Sequence, residues 1–381
     1  MMAAGTPARF ATPLAELLAA RISNGGPISF AEYMEACLYH PEHGYYTKPQ
    51  AQPDADYYTS PTVHPIFARL IARQLAEMWE VCGQPMPFRV VEAGAGAGRL
   101  AADLLDFAAR ALPAFYAALH YTAVEISDPQ RQRAAQRLAR HLAAGRATLA
   151  ATLPEQIPVG CILANELFDA MPVHRLVVEH GALQEIYVGW DGQRFVEQRG
   201  PLSTPALREY FARQDVVLRE GQQAEANLAA CRWIEDVGRR LGRGFLLTVD
   251  YGHPAAELYD ERHLRGTLLA YRWHRASEDF YAAPGEQDLT AHVNFTALEQ
   301  SGRCAGLETT GLVSQARFLL ALGRANAFAD LYEPGQTETD RFRARLQLKT
   351  LLFPEGMGET FRVLIQHKGL ARPALTGLAP F

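Results

Sequence analysis

Short apolar runs alternate with stretches of helical periodicity through the middle of the chain. Residues 88–92 form an apolar run that ends in a glycine-rich turn, and apolar positions then recur at three- and four-residue spacing from Leu100 to Leu112. This pattern predicts a strand, a turn and a helix. The order recurs further along the chain, which predicts an α/β fold with a parallel sheet and helices on both faces. The other predicted elements are strands at 121–125, 161–165, 245–250 and 361–365 and a helix at 128–144.

Helices are predicted before this alternating region. Ser29 and Glu32 have the spacing of a capping box, which predicts a helix that ends before Pro41. A second helix, predicted from near Pro61 to Gly83, carries an apolar stripe that must pack against another element. The two predicted regions are an N-terminal helical extension, residues 1–84, and an α/β domain, residues 85–381.

Two insertions are predicted within the α/β domain, at about 177–242 and 254–310. The first begins with a hairpin over residues 177–198, because Asp191-Gly192 is a turn dipeptide between two apolar segments. Residues 205–241 are predicted to be mainly helical. We expect these segments to surround the edge of the sheet where the carboxyl ends of the strands meet, which is where ligands bind in open α/β sheets.

The composition is that of an ordinary globular protein and disfavours several classes of function. The 381 residues include 37 Lys and Arg against 42 Asp and Glu, which gives a net charge of −5, and 48% are hydrophobic. No long basic stretch is available to follow a nucleic-acid backbone. No apolar run reaches the roughly 18 residues that cross a bilayer. We therefore predict no nucleic-acid partner and no membrane insertion.

Cysteine spacing and the N-terminus bear on metal binding and location. The five cysteines stand at positions 37, 82, 161, 231 and 304, so no Cys-x-x-Cys pair exists for zinc or redox chemistry, and no metal site is predicted. Residues 1–20 lack a compact apolar block ending in a small-residue cleavage site. A cytoplasmic protein is therefore predicted. A short organellar presequence is the alternative, because the first fifteen residues contain one Arg and no acid.

The turn after the first predicted strand has the sharpest local signature. Glu92 is followed by Gly94, Gly96 and Gly98, and glycines allow a tight turn where a ligand approaches the backbone. A dinucleotide motif requires Gly-x-Gly-x-x-Gly, but its third glycine would fall on Arg99. The acid would repel a pyrophosphate and suits a cationic ligand. S-adenosylmethionine is such a ligand, since it carries an amine and a sulfonium and no phosphate.

Glu125 ends the second predicted strand. A carboxylate at that position can accept hydrogen bonds from both hydroxyls of an adenosyl ribose. Nicotinamide cofactors use the same contact, so Glu125 does not distinguish between the two cofactor classes. The alternative interpretation is that the turn is a structural connection and that Glu125 is a solvated acid.

Several motifs occur in order over about 320 residues and carry a stronger signal than the turn alone. They are residues 38–46, 58–61, 92–98, 164–174, 249–254, 284–291, 314–315 and 357–361. Together they resemble the MidA family of S-adenosylmethionine-dependent methyltransferases, which includes the mitochondrial complex I assembly factor that methylates an arginine.

The resemblance implies a class I methyltransferase fold with a Rossmann-like, seven-stranded sheet. It implies that the glycine turn binds the methionine part of S-adenosylmethionine, that Thr59 and Ser60 close over the cofactor, and that Asn165 and Glu166 face the methyl group. It also implies an arginine-bearing protein as the partner. The cofactor-binding residues implied in this way are Thr59, Ser60, Glu92, Gly94, Gly96, Gly98, Glu125 and Asn165.

Departures from the family pattern leave other functions open. Thr62 replaces a usual Glu, Ala68 and Arg69 replace part of a usual Phe-Gly-Glu, and Ala95 and Ala97 stand in a turn that is usually Gly-Pro-Gly-Arg-Gly. These changes could alter substrate recognition while preserving the cofactor site. The alternatives are a binding or assembly module that keeps the fold without turnover, and a small-molecule O- or N-methyltransferase. A nicotinamide dehydrogenase is disfavoured by the glycine spacing.

Methyl transfer from a sulfonium chiefly requires alignment of nucleophile, methyl carbon and sulfur. Glu166 and Asp169 stand three residues apart at a strand end, and we predict that they hold a guanidinium and accept its proton as the new bond forms. The alternative for Asp169 is that it caps the following segment. His253, at another strand end, is predicted to act as a general base or, alternatively, to fix a loop. The sequence is compatible with a homo-oligomer.

Overall fold

The computed structural model describes residues 10–48, 59–273, 275–333, 335–353 and 356–380. Residues 1–9 and 49–58, part of the predicted N-terminal extension, lie outside the described residues. The chain forms two compact units. The first unit includes residues 10–48, 170–230 and 254–294, and the second includes residues 59–169, 231–253 and 295–380.

The helices and strands are numbered in chain order. The helices are α1 (Pro13–Gly25), α2 (Phe30–Tyr39), α3 (Ser60–Val63), α4 (Ile66–Val81), α5 (Arg99–Ala111), α6 (Pro113–Ala118), α7 (Asp128–Arg137), α8 (Ala139–Ala143), α9 (Ala206–Ala212), α10 (Leu228–Arg240), α11 (Ala255–Leu258), α12 (Phe295–Cys304), α13 (Gln315–Arg324) and α14 (Glu338–Leu352). Within the described ranges, none of these helices combines the length and the apolar character needed to cross a bilayer.

The strands of the first unit are β1 (Ile28–Ser29), β6 (His174–Glu179), β7 (Ala182–Trp190), β8 (Phe195–Gly200), β9 (Gln223–Ala226), β11 (Leu269–Arg272), β12 (Arg275–Ser277), β13 (Asp288–Thr290) and β14 (Val293–Asn294). The strands of the second unit are β2 (Phe88–Ala93), β3 (Leu119–Val124), β4 (Ala147–Ala150), β5 (Ile157–Asn165), β10 (Leu241–His253), β15 (Glu308–Ser314) and β16 (Phe361–Lys368).

The strands of the second unit form a sheet in the order β15-β16-β10-β5-β2-β3-β4. The strands from β10 to β4 are parallel to one another, whereas β16 runs antiparallel to both β10 and β15. Strands β2, β5 and β10 lie inside the sheet and are largely buried, which explains their nearly continuous apolar runs. The predicted α/β fold is confirmed, and the second unit contributes seven strands to this sheet.

The chain changes direction across the sheet at β2. It continues from β2 to β3 and β4 on one side, and β5 then pairs with the other side of β2. Connections that leave in opposite directions open a crevice at the carboxyl ends of two such strands. The loops after β2 and β5 therefore border the place where a ligand is expected in this fold.

The predicted N-terminal helices are present. Ser29 caps α2, because its Oγ accepts a hydrogen bond from the Glu32 N–H at 3.2 Å and the Glu32 carboxylate accepts one from the Ser29 N–H at 3.0 Å. Helices α1 and α2 belong to the first unit, whereas α3 and α4 belong to the second. The region predicted as one extension, residues 1–84, is divided in this way because α2 and α4 bury their apolar faces in separate cores.

The first unit contains an antiparallel sheet in the order β1-β7-β6-β9, with β8 on the other side of β7. The predicted hairpin turn joins β7 to β8, where the Asp191 carboxylate accepts hydrogen bonds from the N–H groups of Gln193 and Arg194, both at 2.8 Å. Residues 205–241 are less helical than predicted. They include β9, which pairs with β6, because cross-strand pairing outweighs local propensity in a short segment.

Candidate active site

The candidate site lies in the second unit, at one edge of its sheet. Glu92 is near the end of β2, Glu125 follows β3, Asn165 ends β5 and Asp250 is near the end of β10. These strands are parallel, so their carboxyl ends lie along the same edge. Four polar side chains from separate parts of the sequence are therefore carried on one edge of the sheet.

The turn after β2 requires its glycines. Gly94, Gly96 and Gly98 have φ angles of 71°, 52° and 74°, a left-handed conformation that costs other residues roughly 1–2 kcal/mol. Gly98 caps the N-terminus of α5 in this conformation. A Cβ atom added to Gly96 would meet nothing within 4 Å, whereas one on Gly94 would lie 2.9 Å from Leu167 Cδ1. The Gly96 backbone therefore faces open space.

Glu92 is almost completely buried beside this turn, with 3% of its surface exposed. The Tyr121 hydroxyl donates a hydrogen bond of 2.8 Å to its carboxylate. Burial raises the pKa of Glu92 to about 8; the Tyr121 bond opposes this shift, and the nearby Glu125 carboxylate adds to it. A buried carboxyl with a pKa near neutrality responds strongly to a positive charge placed beside it.

Glu125 is held by backbone groups on both sides. Its two carboxylate oxygens accept hydrogen bonds from the N–H of Gly96, at 2.9 Å, and the N–H of Ser127, at 2.7 Å. Burial raises the pKa of Glu125, and these backbone donors oppose the shift. The contact with Gly96 ties the end of β3 to the glycine turn after β2. A carboxylate has about four lone-pair positions, so Glu125 can accept further hydrogen bonds.

Ser60, Asn165 and Glu166 are joined by hydrogen bonds. Glu166 Oε1 accepts from the Ser60 N–H at 3.0 Å and from Asn165 Nδ2 at 3.1 Å. The backbone of Glu166 has a φ of 50°, which is strained for a residue with a Cβ atom, and strain of this kind is concentrated at functional sites. These contacts fix the orientation of the Glu166 carboxylate beside the end of β5.

The Ser60 side chain is buried and hydrogen-bonded inside the protein. Ser60 is fully buried, and its Oγ donates to Gln315 Oε1 at 3.0 Å, while Gln315 Nε2 donates to the Leu351 carbonyl at 3.2 Å. Sequence reasoning gave Gln315 no role. Its place in the motif at residues 314–315, which is shared with the family, could have indicated a role for Gln315.

Asp250 is a second residue that sequence reasoning left without a role. It is completely buried, and its carboxylate accepts hydrogen bonds from the N–H groups of Leu167 at 3.1 Å, Phe168 at 2.8 Å and Tyr251 at 2.9 Å. Burial and the neighbouring Asp169 carboxylate raise the pKa of Asp250 well above its ordinary value. Asp250 therefore orders the backbone that directly follows Glu166.

Replacing Asp250 with alanine is expected to lower the free energy of unfolding by at least about 3 kcal/mol, since three buried N–H donors lose their acceptor and each costs about 1–3 kcal/mol. Asp250→Asn keeps one carbonyl oxygen and should cost clearly less. Urea unfolding of both variants measures these differences. Asp236→Ala serves as the control, because it removes a partly exposed ion pair with Arg240 worth at most about 1 kcal/mol. Equal stability of the Asp250→Ala and Asp236→Ala variants would contradict this assignment.

The remaining predicted site residues, Asp169, His253 and Thr59, are close in sequence to residues already described, namely Glu166, Asp250 and Ser60. Asp169 is 7% exposed and follows the turn that Asp250 holds, and His253 is the last residue of β10. Thr59 precedes α3, where its N–H donates to Thr62 Oγ1 at 2.9 Å and its carbonyl accepts from the same hydroxyl at 2.8 Å. Thr62 thus accepts the hydrogen bond that a capping-box Glu accepts at this position of a helix.

The other departures from the family pattern are also accommodated locally. Ala68 is buried in the core of the second unit. Arg69 is 7% exposed; it donates to the Asp330 carbonyl at 2.5 Å and forms an ion pair with Glu333. Its charge is therefore compensated by the segment between α13 and α14.

The groups at this edge fit S-adenosylmethionine. Asn165 Oδ1 is buried and has no hydrogen-bond partner among the described residues, so it can accept from an amine. Glu125 can accept from ribose hydroxyls, and Gly96 leaves room for a ligand against the backbone. The acid at Glu92 suits a cation and would disfavour a pyrophosphate.

Curated relatives extend over nearly the whole chain. The chain is 29% identical to a Drosophila melanogaster protein named "Protein arginine methyltransferase NDUFAF7 homolog, mitochondrial", over 94% of this chain and 85% of the relative. It is 28% identical to the Homo sapiens protein named "Protein arginine methyltransferase NDUFAF7, mitochondrial", with the same coverage. The family resemblance drawn from the motifs is confirmed.

These names contradict one prediction. The N-terminal sequence led to the prediction of a cytoplasmic protein, but the relatives are named as mitochondrial proteins. The prediction of a cytoplasmic location is therefore wrong by this comparison. The cytoplasmic prediction rested on the absence of a short apolar block near the N-terminus. Organellar presequences are amphipathic and need no such block, so its absence does not distinguish the two locations.

Solved structures and a family model give the same assignment. The chain is 33% identical to a Burkholderia thailandensis protein whose crystal structure contains S-adenosyl-homocysteine, with a TM-score of 0.85 over 96% of this chain and 94% of that one. A family model described as "Putative S-adenosyl-L-methionine-dependent methyltransferase" matches residues 70–313, which is more than half of the chain. The predicted enzyme class and cofactor are confirmed. The chain belongs to this family of S-adenosyl-L-methionine-dependent methyltransferases.

Proposed function

We propose that this methyltransferase transfers a methyl group to an arginine side chain of a protein partner. Two kinds of observation support the proposal. The relatives from Drosophila melanogaster and Homo sapiens are named protein arginine methyltransferases. In addition, the carboxylates of Glu166 and Asp169 follow the end of β5, which pairs with β2, and a guanidinium is recognised by carboxylates through paired hydrogen bonds.

Different residues of the candidate site would bind different parts of the cofactor. S-adenosyl-L-methionine, when bound, supplies a methyl group already activated on a sulfonium. The glycine turn would receive its methionine part, with Glu92 compensating its positive charge and Asn165 Oδ1 accepting from its amine. Glu125 would accept hydrogen bonds from the ribose hydroxyls. Thr59 and Ser60 would border the cofactor, since the Ser60 N–H donates to Glu166 at 3.0 Å.

The acceptor nitrogen must lose a proton during the reaction. Removing that proton beforehand, from a pKa near 13.8, would cost about 9 kcal/mol at pH 7, so early deprotonation is unfavourable. Glu166 would instead hold the guanidinium with one nitrogen directed at the methyl group. It would accept the proton as the new C–N bond forms and the methyl–sulfur bond breaks, with the neutral thioether as the leaving group. Asp169 would provide the second carboxylate of the clamp, and His253 would pass the proton to solvent.

The observation that carries this proposal is the restraint on Glu166. Its carboxylate is held by the Ser60 N–H and Asn165 Nδ2, and the backbone after it is held by Asp250. A carboxylate with a fixed orientation can align an acceptor at little cost in side-chain entropy.

Labelled methyl transfer provides the test. The enzyme is incubated with S-adenosyl-L-methionine carrying a labelled methyl group and a lysate of the source organism, and we expect label in a protein band that releases methylated arginine on acid hydrolysis. Label in a small metabolite, or in another amino acid of a protein, would overturn the arginine assignment and leave the reaction class standing. The Glu166→Gln variant, which should bind the donor, is the matched negative control.

A further inference from the structure

Glu92 and Tyr121 form a buried polar pair on neighbouring strands of the second unit. Glu92 is 3% exposed, and Tyr121 is fully buried. Strands β2 and β3 are parallel, and Tyr121 lies opposite Val90, which is two residues before Glu92 and therefore on the same face of β2. This register brings the Tyr121 hydroxyl to the carboxylate, where it donates to Glu92 Oε2 at 2.8 Å.

The sheet around Glu92 offers little else that is polar. The residues in register with Glu92 are Ala123 on β3 and Leu163 on β5, and both are buried and apolar. Among the residues that the structure describes, Tyr121 is the only hydrogen-bond donor to Glu92, and it uses one of the two carboxylate oxygens. The other oxygen, Oε1, can therefore accept from a ligand.

We propose that Tyr121 is a positioning residue for the methyl donor, whose hydroxyl holds the Glu92 carboxylate ready for the cationic part of S-adenosyl-L-methionine. The hydrogen bond fixes Oε2, so that Oε1 keeps a constant orientation. It also favours the ionised carboxylate over the neutral acid, because a hydroxyl donates more strongly to a charged oxygen. Tyr121 acts through Glu92 in this role, which rests on the proposed contact between Glu92 and the donor cation.

A purely structural role for the Tyr121 hydroxyl would have different consequences. A buried hydroxyl needs a hydrogen-bond partner, and Glu92 could serve as that partner without any effect on the donor. Removal of the hydroxyl would then change stability, or change donor affinity by the same factor at every pH. The proposed role links the hydroxyl to the ionisation of Glu92, so its effect on donor affinity must depend on pH.

The other titratable groups that act on this pair, among the described residues, are Glu125 after β3 and Cys161 on β5. Burial raises the pKa of Tyr121 well above its ordinary value, and the Glu92 carboxylate and the Cys161 thiol add to the shift. Burial also raises the pKa of Cys161, so neither the hydroxyl nor the thiol ionises between pH 6 and 9.5. Glu125 and Cys161 are present in both wild type and a Tyr121 variant, and their effects cancel when the two are compared.

Calorimetric titration of the full chain with S-adenosyl-L-methionine, from pH 6 to 9.5, compares wild type with Tyr121→Phe. Below pH 7 the association constant of the variant should be about 10- to 100-fold lower, the range expected for one hydrogen bond to a charged group. The ratio of the two constants should narrow at least about fivefold between pH 7 and 9.5, because Glu92 then becomes ionised in both proteins. Titration of the donor itself cancels in this ratio.

Two controls separate this effect from a general one. Tyr116→Phe removes another hydroxyl of the second unit, one that lies 2.8 Å from His141 Nδ1, and should match wild type at every pH. In a Glu92→Gln background no acid titrates at position 92. Adding Tyr121→Phe to that background should therefore leave the pH dependence of donor affinity unchanged.

Donor affinity that Tyr121→Phe leaves unchanged, or lowers by one factor at every pH, would overturn this role of Tyr121. So would a double variant whose pH dependence differs from that of Glu92→Gln, since the hydroxyl would then act through another group. Wild-type pH dependence in Glu92→Gln would instead overturn the proposed contact of Glu92 with the donor. The arginine assignment is tested separately, because these titrations contain no methyl acceptor.

Thermal melting checks that Tyr121→Phe is folded. If it is not, Tyr121→3-fluorotyrosine gives the same test with the opposite sign. Its more acidic hydroxyl is a stronger donor to the Glu92 carboxylate, so the rise of donor affinity should shift to lower pH than in wild type. A rise at the same pH as in wild type, or at higher pH, would overturn the role of Tyr121.

Discussion

Glu166→Gln is expected to lower the turnover number about 10²- to 10⁴-fold, the range typical of a residue that transfers a proton in the transition state. The affinity for S-adenosyl-L-methionine should change little. Glutamine has nearly the same shape as glutamate, but it carries no charge for a guanidinium and cannot accept a proton at neutral pH. The Ser60 N–H and Asn165 Nδ2 both donate to the same oxygen, Glu166 Oε1, so the amide oxygen of glutamine can keep these two hydrogen bonds.

The measurement separates catalysis from binding. Single-turnover methyl transfer to the arginine-bearing acceptor gives the rate of the chemical step, and calorimetry gives the dissociation constant of the donor. Glu155→Gln is the matched control, because Glu155 lies exposed in the loop before β5 and should leave both quantities unchanged. Unchanged turnover of Glu166→Gln would remove Glu166 from the mechanism. A parallel loss of donor affinity would place Glu166 in the cofactor site instead.

Donor affinity is expected to rise with pH up to about 8 through the titration of Glu92. The folded protein holds this carboxyl with a pKa of about 8 because it is buried and Glu125 lies nearby, although the hydrogen bond from Tyr121 opposes the shift. A bound sulfonium or amine favours the ionised form. Binding therefore releases a proton below pH 8, and the association constant can increase by up to about tenfold per pH unit between pH 6 and 8.

The raised pKa of Glu92 also makes the stability of the ligand-free protein depend on pH, but this stability falls as pH rises. Between the ordinary value of 4.5 and about 8, the unfolded chain has an ionised Glu92 while the folded protein keeps it neutral. The folded state then binds more protons, so its stability falls as pH rises through this window, by up to about 1.4 kcal/mol per unit. The stabilisation that the raised pKa of Glu92 provides is therefore fully present below pH 4.5, and it is lost as pH passes about 8.

Calorimetry in buffers of different ionisation enthalpy measures the released proton, and urea unfolding across pH 5–8 measures the stability trend. Glu92→Gln should flatten both pH dependences. S-adenosyl-homocysteine, which lacks the sulfonium charge, should show a shallower rise in affinity with pH than S-adenosyl-L-methionine. A wild type whose donor affinity is independent of pH from 6 to 8 would show that no ligand cation lies close to Glu92.

Features encoded by neighbouring residues were predicted well. The predicted strand at residues 88–92 became β2, and the helix after it became α5, because a run of apolar residues followed by helical spacing is a local signal. The three glycines of the turn have the left-handed conformation that only glycine adopts easily. The capping box at Ser29 formed as expected. In each case the physical cause lies within a few residues of the element it controls.

Features that depend on distant residues were predicted poorly. Residues 223–226 were assigned to a mainly helical segment, but they form β9 because β6 offers a strand edge to pair with. Asp250 was recognised only as an acid at a strand end. Its role became visible when β10 aligned beside β5 and brought it to Leu167 and Phe168, more than 80 residues earlier in the chain.

The chain's own patterns were enough to specify an α/β sheet, the glycine turn with its acid and, through shared motifs, the methyltransferase family. The network around Glu166 was set by folding, since the bonds from Ser60 and the support from Asp250 cross separations of 106 and more than 80 residues. Contacts of that kind have no periodicity and no spacing rule, because they exist only after parallel strands have placed their carboxyl ends along one edge.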